Sequence, residues 1–218
     1  RSSGYKDIDF VLTTRELAVM IKQAGIDFRT LEPSHYDSLM GSSTGAAVIF
    51  GATGGVMEAA LRTAYEIVTG KPVPFKNLNI TPVRGMDGVK EAAVKIEGTT
   101  EEWRFLEGAE LKVAIAHGLV NANKVAKAVS TGKAKYHFIE IMACPGGCIG
   151  GGGQPIPTNV EVRQKRMDAI YSEDMHMDLR KSHENPEVIA IYKEFLEKPN
   201  GHKSHELLHT HYIERESY

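Results

Sequence analysis

Apolar positions recur along this chain with two different periods. Leu17, Met20, Ile21 and Ala24 fall at helical spacing, and Thr13 with Glu16 three residues on forms a capping box ahead of them. A helix from Thr14 to about Ala24 is predicted, with the short run DFVL (residues 9–12) before it as a strand. The apolar run Ala46 to Phe50 lies between glycine clusters and reads as a second strand. Val56, Ala60, Ala64 and Ile67 then recur at helical spacing as far as Gly70, so the unit is strand, glycine turn, long helix. VKEAAVKIEG and EEWRFLEG read as the arms of a hairpin leading to a buried strand, LKVAIAHG. NANKVAKAVSTG predicts a helix capped by Asn121 or Asn123. KYHFIEIMA predicts a last strand, which delivers a glycine-rich loop.

Beyond Pro157 the pattern becomes helical throughout. EVRQKRMDAIYSEDM is one helix, and Asn185 with Pro186 supplies the cap and first turn of another, PEVIAIYKEFLEK, whose apolar face is Val188, Ile191, Tyr192 and Phe195. The expected fold class is therefore α/β. One lobe, residues 1–157, carries a small mixed or parallel sheet flanked by helices, and a helical tail, residues 158–218, packs on it.

Composition narrows the function more than the fold. With 218 residues, 42% hydrophobic and 25% charged, the chain can bury a sizeable core. A net charge of −2, from 26 Lys and Arg against 28 Asp and Glu, gives no basic surplus for nucleic acid. No run approaches the roughly 18 apolar residues of a membrane span, and RSSGYKDIDFV lacks the apolar stretch of a signal peptide. The cytoplasm is the expected location. The missing initiating methionine suggests a piece of a longer chain.

Three stretches could carry chemistry. HELLH, His205 to His209, matches H-E-x-x-H, in which two imidazoles bind zinc and Glu206 would act as base. A zinc hydrolase is one reading, yet only nine residues follow His209, and His211 is the one further imidazole there. IFGATGGVMEAA is a glycine turn before a helix. It could face an anion at the helix N-terminus or simply let the helix pack closely, since its spacing matches neither G-x-G-x-x-G nor the P-loop. MACPGGCIGGGGQP holds both cysteines of the chain, Cys144 and Cys148. A disulfide closing so short a loop removes little chain entropy, and a redox dithiol favours C-x-x-C at a helix N-terminus. Metal ligation fits better, because glycines let the backbone close on an inorganic cluster; two free core cysteines are the bland alternative. A cubane usually takes four cysteines, so half the ligands would come from elsewhere.

FIEIMACPGGCIGGGGQP resembles the most C-terminal signature of the iron-only, or [FeFe], hydrogenases. DIDFVLTTRELAVMIK, GSSTGAAVIFGATGGVMEAALRTAYE, VRGMDGVKEA, SHENPEVIAIYKEFL and LLHTHY extend the resemblance along nearly the whole chain in the family's order. The HELLH match falls inside that family-like tail. The resemblance implies an H-cluster between two lobes: a [4Fe-4S] cubane joined through a cysteine sulfur to a di-iron unit carrying CO, CN and a bridging dithiolate. It further implies that Cys144 ligates the cubane, that Cys148 ligates it and bridges to the di-iron unit, that Met142 sets its thioether against the di-iron site, and that Phe50 and Gly51 line the pocket. Gln154 and Pro155 would shape the loop. The family's T-S-C-C-P and P-C-x-x-K signatures are absent from these residues, and with them the other two cubane ligands, a proton-relaying cysteine and a cyanide-holding lysine. The parent would interconvert protons and H2, and this piece alone would be inactive. Its expected partners are the N-terminal remainder of the hydrogenase, ferredoxin or NAD(P)-linked subunits, and other copies of itself through its exposed lobe face. A non-catalytic relative that holds iron–sulfur clusters for assembly or sensing is the rival implication.

Overall fold

The computed structural model describes residues 8–35 and 42–209. The capping box forms as the spacing predicts. Thr13 Oγ1 accepts from the Glu16 amide, Glu16 Oε2 accepts from the Thr13 amide, and helix α1 runs Thr14–Gln23. DFVL is not a strand: it is irregular backbone with Phe10 and Val11 almost fully exposed and, among the described residues, no neighbouring strand to pair its amides. None of α1 is buried. It is held by its first turn, through Thr14 N–H to the Gly152 carbonyl (3.1 Å) and Arg15 Nη1 to the Gln154 carbonyl (2.7 Å).

The run from Ala46 to Phe50 is helical instead of extended. It forms a short helix α2, Gly45–Val48, followed by a 3-10 turn, Ile49–Gly51. A short buried apolar run does not reveal its own period. Here the Thr44 hydroxyl caps it by accepting the Ala47 amide, while Ala46 and Ile49 are fully buried. The long helix then follows as α3, Gly55–Thr69, ending at Gly70 in the left-handed region.

The sheet has three strands in the order β1, Val89–Lys95, β2, Glu110–His117, and β3, Phe138–Met142. β1 and β2 are antiparallel, whereas β2 and β3 are parallel, so the sheet is mixed. EEWRFLEG is not a hairpin arm: residues Glu101–Leu106 form a 3-10 turn within the connection, and β1 pairs directly with β2. Strand β2 is buried on both faces from Val113 on, which explains its unbroken apolar run. Val113 and Ile115 join Met57 and Leu61 of α3 in the main core, while Ala114 and Ala116 pack with Val125 on the other face. Val125 belongs to helix α4, Leu119–Ser130, which starts one turn before the expected Asn caps. Its N-cap is Gly118, at φ 76°, and Asn121 instead donates from its side chain to the His117 carbonyl.

The tail supplies α5, Val160–His176, capped by Asn159, and α6, Pro186–Ile191, capped by Asn185. The helix expected beyond Ile191 continues as a single π turn, Tyr192–Leu196, and stops at Glu197 with φ 69°. Helix α7, His202–Leu208, ends the described part. Among the described residues no helix is long and apolar enough to cross a membrane.

Charge joins the tail to the lobe. Arg62 of α3, with no solvent exposure, donates from both terminal nitrogens to Asp174 of α5 (2.7 and 2.8 Å) and from Nη2 to Glu58 Oε1 (2.7 Å). Arg84 closes the ring on Glu58, at 2.6 and 2.7 Å, and stacks over Tyr171 of α5. Arg180 adds a second guanidinium to Asp174 at 2.6 Å. Gly45 completes the seam, because a Cβ there would fall 2.1 Å from Asp174 Oδ1.

Asp174→Ala leaves buried guanidinium groups short of a carboxylate, with an expected loss of about 3–5 kcal/mol in urea unfolding. Burial by itself would raise the Asp174 pKa, but hydrogen bonds from Arg62 and Arg180 outweigh it and hold the carboxyl below its usual value. Its contribution is therefore present above the unfolded-state pKa, about 3.9, and is lost as pH falls further through the lower folded value. Unfolding midpoints measured from neutral pH down to about 2 should fall steeply at the acid end for the parent and less for Asp174→Asn.

Candidate metal centre

Strand β3 delivers Met142 to the end of the sheet, and the chain then turns through two successive glycines, Gly146 (φ 84°) and Gly147 (φ 91°), into a 3-10 turn at Cys148–Gly150. Both cysteines are free thiols, Cys144 half-buried and Cys148 exposed. A cavity of about 230 Å³ opens between Met142, Ala143, Cys144, Gly147, Cys148 and Gly152. Two thiols and the neighbouring thioether thus share one wall.

The glycines here do a steric job. A Cβ on Gly147 would sit 2.8 Å from Met142 Sδ, the Gly51 carbonyl oxygen and the Thr53 nitrogen. A Cβ on Gly151 would sit 2.4 Å from Cys144 Sγ. Any side chain at either position would occupy the space of a sulfur or force the loop off the preceding turn. This soft sulfur donor set, with a wall kept free of Cβ atoms, fits an iron–sulfur group, and the two thiols make half of a cubane's usual ligand set.

Gly51 is brought to this wall through its contact with the Gly147 position. Phe50 is 46% exposed and is not among the cavity-lining residues. Gln154 and Pro155 shape the far side of the loop. Their carbonyls accept from Arg15 and from Arg166 Nη2, and Arg166 Nη1 reaches the Ile149 carbonyl.

The glycine turn before α3 does not present an open anion site. The Glu140 carboxylate of β3 fills it, accepting the Gly54 and Met57 amides at 2.6 and 2.7 Å. Burial pushes the Glu140 pKa up, against those amides and the nearby Lys90. Lys90 of β1 is itself buried and donates to the Gly85 and Thr53 carbonyls; desolvation pushes its pKa down to about 8 despite Glu140 and Asp87. His117, the last residue of β2, accepts the Gly146 amide on Nδ1, and burial together with Lys90 and Arg163 keeps its pKa below the ordinary histidine value. The local sequence pattern does not single out these three buried groups. The usable signal was a charged or titratable residue inside an otherwise apolar strand, as in FIEIM and LKVAIAH.

The zinc reading finds little support in the geometry. The rings of His205 in α7 and of His209 at its C-cap lie 4.4 Å apart, and His211 is outside the described residues. Among the described residues, the one group of three or more His, Cys, Asp and Glu gathered within metal-binding distance is Glu66, His183 and Glu184. The Lys181 ammonium already bridges the two carboxylates of that group, at 2.7 Å from Glu66 and 2.6 Å from Glu184.

Comparison with known proteins agrees with the sulfur wall. Residues 1–152 match the family model described as iron only hydrogenase large subunit, C-terminal domain, and residues 160–215 match that of the iron hydrogenase small subunit. The NADP-reducing hydrogenase subunit HndD of Solidesulfovibrio fructosivorans is 51% identical over 215 residues, covering 98% of this chain and 34% of the relative. Protein NAR1 of Arabidopsis thaliana is 31% identical, covering 94% of this chain and 42% of its own length. The solved structure of a variant [FeFe]-hydrogenase HydA1 from Chlamydomonas reinhardtii superposes with a TM-score of 0.76 at 45% identity, over 94% of this chain and 56% of that one. This chain therefore spans well under two thirds of each of these relatives, and it belongs to the iron-only hydrogenase large-subunit family, of which it carries the C-terminal domain.

Proposed function

We propose that this chain is the C-terminal part of an [FeFe]-hydrogenase catalytic subunit and supplies two of the four cysteine ligands of its H-cluster. The observation that carries the reading is the shared wall of Cys144, Cys148 and Met142, kept open by Gly147 and Gly151. When bound, the H-cluster supplies the electron and proton chemistry that interconverts protons and H2. The role of this chain is to hold it. Cys144 and Cys148 would bind the cubane as thiolates, Cys148 on the side toward the di-iron unit. Met142 would present its thioether to that unit, next to the Thr53 hydroxyl at 4.0 Å. Gly51 would line the pocket, and Phe50, at its edge, would cover it once the rest of the protein is in place.

The remaining ligands would lie in the N-terminal remainder of the hydrogenase. The exposed apolar side chains of α1 and the turn after it, among them Leu17, Met20, Ile26 and Phe28, offer a face for it. Alone, this chain would be inactive and self-associating. We set the border between lobe and tail at 157/158. Electrons would come through ferredoxin or an NAD(P)-linked subunit, and the cytoplasm suits two free thiols. A second reading, a non-catalytic protein that holds an iron–sulfur cluster for assembly or sensing, rests on the likeness to NAR1. It would use the same two thiols and produce no H2.

In the full-length parent matured with its cofactor, Cys148→Ala should abolish H2 evolution and lower bound iron; normal evolution by that variant would sink the assignment. A parent that binds iron and sulfide yet evolves no H2 after maturation would favour the second reading. In the chain alone, a thiol reagent such as Ellman's should modify exposed Cys148 before half-buried Cys144, read by peptide mass mapping. Stoichiometric zinc that disappears in a His205→Ala, His209→Ala variant would overturn the hydrogenase assignment of the tail.

A further inference from the structure

Gly146 is the midpoint between the two cysteines, and both of its backbone polar groups are tied to the fold outside the loop. Its amide donates to His117 Nδ1 at 3.3 Å, and its carbonyl accepts the Thr53 amide at 3.0 Å. Thr53 is in turn held from behind, since its own carbonyl accepts the Lys90 ammonium at 3.2 Å, and Lys90 is anchored again on the Gly85 carbonyl at 2.8 Å. His117 and Lys90 are both more than nine-tenths buried and sit on adjacent strands, β2 and β1. The loop's own bond between the cysteines, Gly147 N–H to the Cys144 carbonyl at 3.0 Å, closes a turn but does not fix where the turn sits.

We propose that His117 and Lys90 are positioning residues that hold the cysteine loop in its cluster-binding place, clamping Gly146 from opposite sides, His117 directly and Lys90 through Thr53. This rests on the reading of Cys144 and Cys148 as ligands. The hydrogen bonds that tie these two residues to the loop run to backbone groups, not to a sulfur. They act at Gly146, which has no side chain of its own to hold it, whereas the far end of the loop is already packed through Ile149. Satisfying a buried lysine with two carbonyls would be adequate as core chemistry alone. The clamp adds a consequence: loosening either side should change the cluster before it changes the fold.

The test uses the full-length parent reconstituted with iron and sulfide to the cubane stage, without the di-iron unit. Iron release to a chelator and the electron paramagnetic resonance spectrum of the reduced cubane are measured, with thermal melting as the control for folding. His117→Asn puts an acceptor oxygen near the place of Nδ1, whereas His117→Gln puts it near the place of Nε2. His117→Gln and Lys90→Met should release iron about tenfold faster or more, with a shifted spectrum, while His117→Asn stays close to the parent. Parent-like release and spectra in both His117→Gln and Lys90→Met would overturn the proposal, as would His117→Asn being as labile as His117→Gln. If Lys90→Met does not fold, the Asn and Gln pair decides alone. If the unmodified parent holds no cubane, the ligand assignment itself fails, which is a separate result from unaltered variants in a cubane-loaded parent.

Discussion

A guanidinium with no access to water cannot be left with a broken set of partners, and Arg62 places that demand on much of this molecule. Its two carboxylates come from different parts of the chain: Glu58 one helical turn earlier on α3, and Asp174 from the tail helix α5. The pairing need not stabilise the fold more than a well-packed apolar substitute would. What it does is narrow the choices. Once Arg62 is buried, α5 must bring Asp174 to its fork, and Gly45 must be a glycine for α2 to pass beside Asp174.

That constraint reaches the sulfur wall. With α5 tied to α3 through Asp174, Met167 and Tyr171 pack with Ile49, Ala52 and Ile149, so one apolar cluster holds the turn before α3, the cysteine loop and the tail together. Glu140 then fixes the start of α3 to β3 by capping its amides, two residues before Met142. The result is a division by depth. Charged and titratable groups (Glu140, Lys90 and His117) are buried beneath the loop and satisfied by backbone, while the sulfur atoms line the open side.

How much of this was legible depends on whether the deciding partner is near in sequence. The Thr13 capping box, the Asn185 cap with Pro186 behind it, and the doubly buried β2 run are local patterns, and each appears as read. Ala46–Phe50 failed as a strand because what makes it helical is the Thr44 cap plus burial against residues over a hundred positions away. EEWRFLEG failed because an amphipathic look says nothing about which strand β1 will meet. The Glu58 and Arg62 spacing could have flagged an i,i+4 pair, yet only the fold reveals Asp174 as the third member. At the site, the two cysteines and their glycines were visible as one candidate loop, and the steric reasons for Gly147 and Gly151 needed coordinates. Glu140 at the glycine turn was hidden because a strand acid is usually assigned to solvent.

On the proposed ligand role, the same depth ordering bears on how half a ligand set could fold without its metal. A buried thiolate pair without its metal would be an uncompensated charge, and the fold would have to bear that cost until the cluster arrived. Here Cys148 is exposed and Cys144 only half-buried, so neither thiol is sealed from water, while the buried Glu140 and Lys90 are already paired with backbone groups. Apolar side chains along α1 are likewise left outside, not folded inward to fill the cavity. The lobe's own stability is thereby separated from occupancy of its site. On the proposed ligand role, that separation would let the loop form before the cofactor and the rest of the hydrogenase are present.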